Sequence, residues 1–395
     1  MAPDLLTRIA EIGRQHKSRP SIARIKLFNN YFDNDSNLKI DEFTEADDGN
    51  CTRRELLARF LLLNAVLDQG PDMEGVRQLL CDTLNVLYGE EIRILHTPLD
   101  FFKKLNIVID NIDEVHLAVK ELRSQQWAEL NHARANRYNL FMDNSLQTLN
   151  YAIFRWGVPL ALIMTLQHQS DKESSEALLD FLESDDEEWR SSAEMMSRKI
   201  KSHKKYGMGK AIGDKAAHLF AKWIVYSFPI TRKSNIQAWG RYSYEAPFDS
   251  NAGRVLFRSG YLLRYATIED YVKYNVIQRG KGRNGKDYIR VTNIRDKKAT
   301  QNLEEVDYET YSNLCVNHLR THVCAPTPNR YEIQKIPLAQ LLEGRQFVTG
   351  KFDDGLMYIG TNHCFNHDAP ECLTCPINDL CVGRRDKTLI EEYRT

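Results

Sequence analysis

The sequence predicts a mainly α-helical protein with one small β-hairpin and a C-terminal metal-binding loop. Apolar residues recur at helical spacing through its first half, two β-like runs flank a glycine-rich stretch, and four cysteines lie close together near the C-terminal end. A chain of 395 residues, 42% of them hydrophobic, is long enough for more than one domain. We expect a helical N-terminal region over residues 1–140, a core over 141–345 and a cysteine-bearing segment over 346–395.

The helical prediction covers the chain from its start to about residue 194. Two segments that carry it have apolar residues at Leu56, Leu57, Phe60, Leu61, Leu62 and Ala65, and at Val76, Leu79, Leu80, Leu84 and Leu87. Residues 151–166 are the most apolar stretch. They are too few to span a bilayer and include Arg155, so we expect a buried helix there. Because the N-terminus has no basic-then-apolar signal pattern, we expect a cytoplasmic protein without a membrane segment, associated with the nucleoid if the source is bacterial.

The charge balance excludes a protein that is coated with positive charge. The 53 Lys and Arg residues nearly offset the 54 Asp and Glu residues, for a net charge of −1, so a nucleic acid would have to be bound by a local basic face. An acidic stretch over residues 171–188 gives way to basic residues just before a glycine-rich turn: Arg198, Lys199, Lys201, Lys204, Lys205 and Lys210. Such blocks are usually solvated surfaces, and only their position before the turn suggests contact with phosphate.

A basic β-hairpin is predicted at about residues 271–300. The β-like runs over 274–277 and 288–291 flank Asn284-Gly285, a dipeptide that is typical of tight hairpin turns. Basic residues outnumber acidic ones, with Arg279, Lys281, Arg283, Lys286, Arg290 and Arg295 against Asp287. Two interpretations stay open: a solvated surface hairpin, or a basic finger that follows a phosphate backbone.

Four cysteines near the C-terminus form the strongest candidate metal site. The gaps between them are seven, two and five residues, in the order Cys364, Cys372, Cys375 and Cys381, so four thiolates could surround one centre. Eight cysteines in a chain without a signal pattern indicate a reducing compartment, where clustered thiols usually bind metal. The unequal gaps favour an iron–sulfur cluster, and structural zinc stays the alternative. A weaker metal candidate, which also fits an ordinary helix, consists of Cys315, His318, His322 and Cys324.

With Pro376 after its third cysteine, this segment resembles the iron–sulfur loop of the endonuclease III and MutY-type enzymes in the helix-hairpin-helix/GPD superfamily of DNA glycosylases. The first gap is one residue longer here than in that family. The resemblance implies a [4Fe-4S] cluster that shapes a DNA-contacting loop and does not itself remove the base. It also implies a two-lobed helix-hairpin-helix DNA glycosylase-like fold, into which the β-hairpin is inserted.

A glycine turn before a predicted amphipathic helix resembles the hairpin with which this family grips DNA. Residues 212–217, Ile-Gly-Asp-Lys-Ala-Ala, fit the family pattern Gly-x-Gly-x-Lys-x-Ala with an alanine in place of the first glycine, and a second register would place the hairpin at residues 207–209. Backbone N–H groups at such a turn attract phosphate. The resemblance implies that Lys210, Ile212 and Gly213 contact DNA. It also aligns Lys215 with the lysine that gives some members lyase activity.

Asp249 is the candidate catalytic carboxylate. Residues 248–254 read Phe-Asp-Ser-Asn-Ala-Gly-Arg and resemble the family segment around the catalytic aspartate, with Ser250 at a threonine position and Arg254 at the arginine that we assign to DNA binding. Asn251 replaces the usual histidine. Without the family, a single Asp before a helix would more often be an N-cap.

These residue types suit cleavage of an N-glycosidic bond. The reaction builds positive charge on the deoxyribose, as in other glycoside cleavages with oxocarbenium-like transition states. A fixed carboxylate at Asp249 would stabilise that charge and orient a water molecule. Lys215 could instead attack the sugar and form a Schiff base, which would allow strand cleavage. The target base would have to be flipped out of the duplex.

The general layout also resembles a divergent branch, the alpha-glutamyl/putrescinyl thymine pyrophosphorylase-like proteins, which implies a bulky modified base as substrate. The candidate pocket residues are Asn150, Tyr151, Arg155 and Trp156, and ordinary packing explains them equally well. We expect a monomer that acts on double-stranded DNA and excises a modified base, in repair or in antiviral defence against phage. One alternative is a transferase that modifies a base without excision, and another is a DNA-binding iron–sulfur protein that has lost catalysis.

Overall fold

The described part of the chain is mainly helical, with two short pairs of antiparallel strands. No helix in this part is both long and apolar enough to cross a membrane. The computed structural model of the chain describes residues 5–35, 38–39, 46–47, 51–68, 73–104, 107–119, 146–169, 175–184, 194–203, 206, 214–232, 247, 250–261, 277–281, 287–291, 348–364 and 370–385.

The helices are labelled in chain order. They are α1 (Leu5–Gln15), α2 (Arg53–Leu67), α3 (Met73–Gly89), α4 (Leu99–Lys104), α5 (Leu146–Gln169), α6 (Ala177–Glu183), α7 (Glu194–Ser202), α8 (Asp214–Lys222), α9 (Ser250–Arg258), α10 (Thr349–Asn362) and α11 (Val382–Arg385). A π-helical turn, Trp223–Ser227, continues α8. Short 3₁₀ segments lie at Ile22–Arg24, Lys26–Tyr31 and Ile112–Glu114.

The strands form two separate antiparallel pairs. Strand β1 (Ala46–Asp47) pairs with β2 (Cys51–Thr52), directly before α2. Strand β3 (Ile277–Lys281) pairs with β4 (Asp287–Val291) in a register that sets Ile277 opposite Val291 and Gly280 opposite Tyr288. The second pair lies where the sequence predicts a hairpin, and its predicted Asn-Gly turn lies outside the described residues. The backbone of β4 approaches α9.

Helix α2 forms the centre of the core. The Thr52 side chain caps it by accepting a hydrogen bond of 3.2 Å from the backbone N–H of Glu55, as a threonine before a first helical turn commonly does. Every residue of the helix after Arg53 is buried. A helix that is buried on all sides has no polar face to give to solvent, so its charged residues must be satisfied inside the protein.

Glu55 and Arg59 form an ion pair with each other and hydrogen bonds with the backbone of two neighbouring segments. The Glu55 carboxylate accepts hydrogen bonds from Arg59 Nε at 2.8 Å and from the backbone N–H groups of Leu178 and Leu179, each at 3.0 Å. Arg59 also donates to the carbonyl oxygen of Leu95 at 2.7 Å. A single buried ion pair therefore joins α2 to the start of α6 and to the loop before α4.

Helix α5 confirms the buried helix expected from the apolar stretch. Trp156, Val158 and the run over residues 160–163 are buried, although Pro159 lies inside the helix. The packing of α5 against α2 and α6 explains the burial, since three apolar helices then share one core.

The two ends of the described chain pack on each other through α1 and α10. Their backbones approach so closely that a Cβ atom on Gly13 would lie 1.8 Å from the Lys351 carbonyl oxygen, and one on Gly355 would lie 1.9 Å from the Ile9 carbonyl oxygen. Only glycine fits at these two positions. The predicted N-terminal region thus contacts the cysteine-bearing segment through α1 and the predicted core through α2, and the three-part division of the chain stays a prediction.

A buried lysine joins α8 to α10. Lys222 Nζ lies 2.6 Å from Asp353 Oδ2 and 2.5 Å from Asp354 Oδ1, and the three side chains are almost completely enclosed. The backbone N–H of Ser18 donates to the same Asp354 oxygen at 3.0 Å. Three parts of the chain that are far apart in sequence therefore meet at one ionic contact.

Candidate metal centre

The four predicted cysteines line one pocket. It lies between α9, the C-terminal end of α10 and the loop that leads to α11, and it holds about 400 Å³ of space, counting the part that is open to solvent. Other side chains in its wall belong to Val255, Arg258, Ile359, His363 and Arg384. The structure thus brings Cys364, Cys372, Cys375 and Cys381 to one pocket, as their spacing predicts.

The loop reaches this shape through a series of tight turns. Cys364 follows α10 and its N–H donates to the Ile359 carbonyl oxygen at 2.7 Å, while the N–H of Cys381 donates to the Ile377 carbonyl oxygen at 2.9 Å. Gly260 ends α9 with a φ of +78°, a conformation that favours glycine. A Cβ atom there would lie 2.8 Å from the Val382 side chain, so this glycine lets the start of α11 approach α9.

Burial and repulsion from neighbouring thiols raise the pKa values of three of these cysteines, Cys372, Cys375 and Cys381. The pKa of Cys375 is raised from its ordinary value of 9.0 to about 12, first by burial, with contributions from the other three thiols. Burial is also the first cause of the raised pKa values of Cys372 and Cys381, and Cys364 adds to both. A bound metal would favour the thiolate forms of these three cysteines, because metal ligands bind deprotonated.

One arginine of α9, Arg258, lies in the wall of the pocket. Arg258 Nη1 lies 3.7 Å from Cys364 Sγ, and the Cys381 thiol donates to the Arg258 carbonyl oxygen at 3.6 Å. Only 2% of the Arg258 surface is exposed. A buried positive charge beside the sulfur atoms would stabilise thiolates, and thus a cluster, by attraction. Arg258 was not among the residues predicted for this site, although its place one helical turn after Arg254 on α9 could have indicated it.

Arg254 connects α9 to the backbone around the first cysteine. Its Nε donates to the carbonyl oxygen of Cys364 at 2.6 Å, and its Nη2 donates to the carbonyl oxygen of Gly360 at 2.9 Å. The same Nη2 donates to Asn251 Oδ1 at 2.6 Å. Asn251 and Arg254, which the sequence places two and five residues after Asp249, are therefore fixed to the end of α10 and to the cysteine loop.

Lys215 is the described member of the predicted hairpin. It lies in the first turn of α8, it is partly exposed, and its Nζ donates to the carbonyl oxygen of Asp68 at 3.4 Å. The helix predicted after the hairpin is confirmed, but its predicted amphipathic character is wrong, because residues 216–225 are all buried, including Lys222, which is paired with Asp353 and Asp354. Asp249, Lys210, Ile212 and Gly213 lie outside the described residues, and so do the second cysteine and histidine group and the basic residues of the hairpin turn.

The four candidate pocket residues lie on α5. Trp156 is fully buried, and its indole Nε1 has no hydrogen-bond partner among the described residues. The side chains of Asn150, Tyr151 and Arg155 lie outside the described residues, although the helix that carries them is described. The position of Trp156 in the core agrees with ordinary packing.

The donor set of the pocket fits a metal centre. Four thiols are the usual ligands of a [4Fe-4S] centre and also suit structural zinc. In the described part of the chain, no group of three or more His, Cys, Asp or Glu side chains is arranged so that it could hold a metal ion. No protein-family model, curated protein or solved structure matches the chain.

Proposed function

We propose that the chain is a DNA glycosylase that carries a [4Fe-4S] cluster and excises a modified base from double-stranded DNA. The observation that carries the proposal is the set of hydrogen bonds made by Arg254. They tie the helix that follows Asp249 in the sequence to the Cys364 and Gly360 carbonyl oxygens, so this helix and the cysteine loop are held together, and this supports the proposal.

The roles of the chain's own residues follow from this arrangement. Cys364, Cys372, Cys375 and Cys381 would hold the cluster, which supplies a fixed anchor for the loop and takes no part in bond cleavage. Asp249 would stabilise the positive charge that develops on the deoxyribose and would orient the attacking water. Lys215 begins a helix that the candidate DNA-gripping turn precedes, and there it could form a Schiff base with the opened sugar.

The nature of the metal is tested by analysis of the purified protein. We expect about four irons and four sulfides per chain and visible colour, because four thiolates favour such a cluster. Cys375→Ser should remove the colour, whereas Cys81→Ser, which changes a buried cysteine on α3, should keep it. Stoichiometric zinc without sulfide would refute the cluster.

The reaction is tested on a panel of phage and cellular DNAs by mass spectrometry of the products. Free modified base together with abasic sites is the expected result. A mass-shifted nucleoside in intact DNA would indicate the transferase alternative, and binding without product would indicate the non-catalytic one. Borohydride trapping of a covalent complex would report whether Lys215 acts as a lyase.

Asp249→Asn should abolish base release and leave DNA binding largely intact, because the amide keeps the shape of the side chain and removes its charge. Asp82→Asn is the matched control, since Asp82 is an exposed residue of α3. Full base release by the Asp249 variant would show that another group stabilises the transition state.

A further inference from the structure

A polar cluster lies in the core at the C-terminal end of α2. It consists of Asn64, Asp68, Arg77 and Trp223, which we call the α2 cluster. Arg77 Nε and Nη2 both bond Asp68 Oδ2, at 3.0 and 2.8 Å, and the Arg77 guanidinium lies 5.5 Å from the centre of the Trp223 ring. Asn64 lies one helical turn before Asp68, on the same face of α2.

This cluster has hydrogen-bonding groups that no described residue satisfies. They are both polar atoms of the Asn64 amide, Asp68 Oδ1 and Trp223 Nε1. Asn64 and Trp223 have no exposed surface, and Asp68 has 1%. More than nine in ten buried polar groups in proteins are hydrogen-bonded, so several unsatisfied atoms at the C-terminal end of one helix and its neighbour Trp223 point to a place for a ligand.

The position of the cluster connects it to the proposed active site. Lys215, the candidate lyase residue, donates from Nζ to the backbone carbonyl of Asp68. Lys215 is partly exposed, so it stands between solvent and the end of α2. Trp223 opens the π-helical turn after α8, and single π turns are frequent at functional sites.

We propose that the α2 cluster receives the hydrogen-bonding edge of the flipped base, an inference that rests on the proposed function. Asp68 Oδ1 can accept one hydrogen bond, while the Asn64 amide and the Trp223 indole carry N–H donors. Their complement is an N–H group between carbonyl oxygens, as in the imide edge of a uracil- or thymine-type base. The site is closed in the free chain, and a base enters it when Lys215 leaves the Asp68 carbonyl.

A purely structural role makes a different prediction for Asn64. Replacing an unsatisfied buried amide by an apolar side chain of similar volume removes a desolvation cost. Asn64→Leu should therefore keep or raise the melting temperature under either reading. If Asn64 recognises the base, Asn64→Leu should in addition lower kcat/KM for base release by about tenfold or more, because a polar edge of the base is then buried without a partner. A purely structural role predicts no such loss.

Direct binding gives a readout that does not depend on catalysis. The probes are thymidine and N3-methylthymidine, which differ in the imide N–H, and the measurement is the melting temperature of the intact protein. We expect thymidine to raise it in the wild type and N3-methylthymidine to leave it unchanged. Asn64→Leu and Trp223→Phe, which removes one N–H and keeps an aromatic ring, should each abolish the thymidine effect.

Asn85→Leu is the matched control, because the Asn85 amide is satisfied by Lys26 N–H and the Arg24 carbonyl oxygen. It should lower stability and keep the thymidine effect. Equal shifts with both nucleosides, no shift in the wild type, or unchanged base release by Asn64→Leu and Trp223→Phe would overturn the inference. A wild type that releases no base from any DNA would instead refute the proposed function.

Discussion

Lys222 shows how a single buried side chain depends on its partners. Its ammonium group is 1% exposed and lies between the carboxylates of Asp353 and Asp354. Ion pairs in the core cost desolvation energy, and removing one partner leaves a charge with no compensation. By contrast, the pair between Lys104 and Glu90 has a similar distance, 2.8 Å, but about half of each side chain is exposed.

Lys222→Met should therefore lower the free energy of unfolding by about 3–5 kcal/mol, because two carboxylates then stay buried without a cation. Lys104→Met is the control, and we expect it to change that free energy by less than about 1 kcal/mol. Urea unfolding of both variants and the wild type measures the difference. Similar losses in the two variants would mean that the buried contact is not the stronger one.

The pH dependence of stability follows from the same lysine. Burial disfavours its charged form, but the two carboxylates outweigh burial and raise the pKa of Lys222 above its ordinary value of 10.5. A raised pKa in the folded state contributes stability that is complete below pH 10.5 and is lost as pH rises above it. Asp353→Asn removes one of the carboxylates and lowers the folded-state pKa of Lys222, so this variant should lose less stability than the wild type as pH rises above 10.5. Denaturant midpoints measured between about pH 9 and pH 11.5 would reveal the smaller loss, and parallel curves for both proteins would contradict it.

At the scale of elements, periodicity predicted which segments are helices but not how they are partnered. Apolar spacing located α2, α3 and α5 correctly. It could not predict that Glu55 and Arg59 of α2 are buried, because their partners at Leu95, Leu178 and Leu179 are distant in sequence. The contact between α1 and α10 could not be predicted either, because the sequence of neither segment indicates which helix it packs against.

The two glycines at that contact make the pairing testable. Gly13→Ala and Gly355→Ala should each lower the free energy of unfolding by about 1–3 kcal/mol, because the added methyl group meets backbone atoms that cannot move aside. Gly89→Ala is the control: nothing lies within 4 Å of its Cβ position, and alanine in a helix gains up to about 1 kcal/mol over glycine. Thermal or urea unfolding distinguishes the three variants, and neutral effects at Gly13 and Gly355 would mean that the helices pack differently.

At the scale of the whole molecule, the cysteine pocket could be predicted from the sequence, whereas the α2 cluster could not. The spacing of four cysteines was enough to predict that they line one pocket, because residues close in sequence must also be close in space. The α2 cluster brings Arg77 onto the Trp223 ring, two residues far apart in the sequence, and no local pattern encodes such a contact. Arg254 was predicted as a DNA contact, and its hydrogen bonds point instead into the protein, to Cys364 and Gly360.

Those hydrogen bonds predict which segments would lose protection if the proposed metal were removed. Arg254 and Arg258 connect the cysteine loop to α9, and α10 carries Cys364 at its end and α1 along its side. In Cys375→Ser, hydrogen–deuterium exchange should therefore rise over residues 370–385, then in α9 and the C-terminal turn of α10, because local openings follow the contacts that a segment loses. Helix α2, whose contacts lie with α5, α6 and α8, should keep its protection. Cys81→Ser should show the wild-type pattern, and uniform exchange across the chain in Cys375→Ser would mean that the loop and the helical core unfold as one unit.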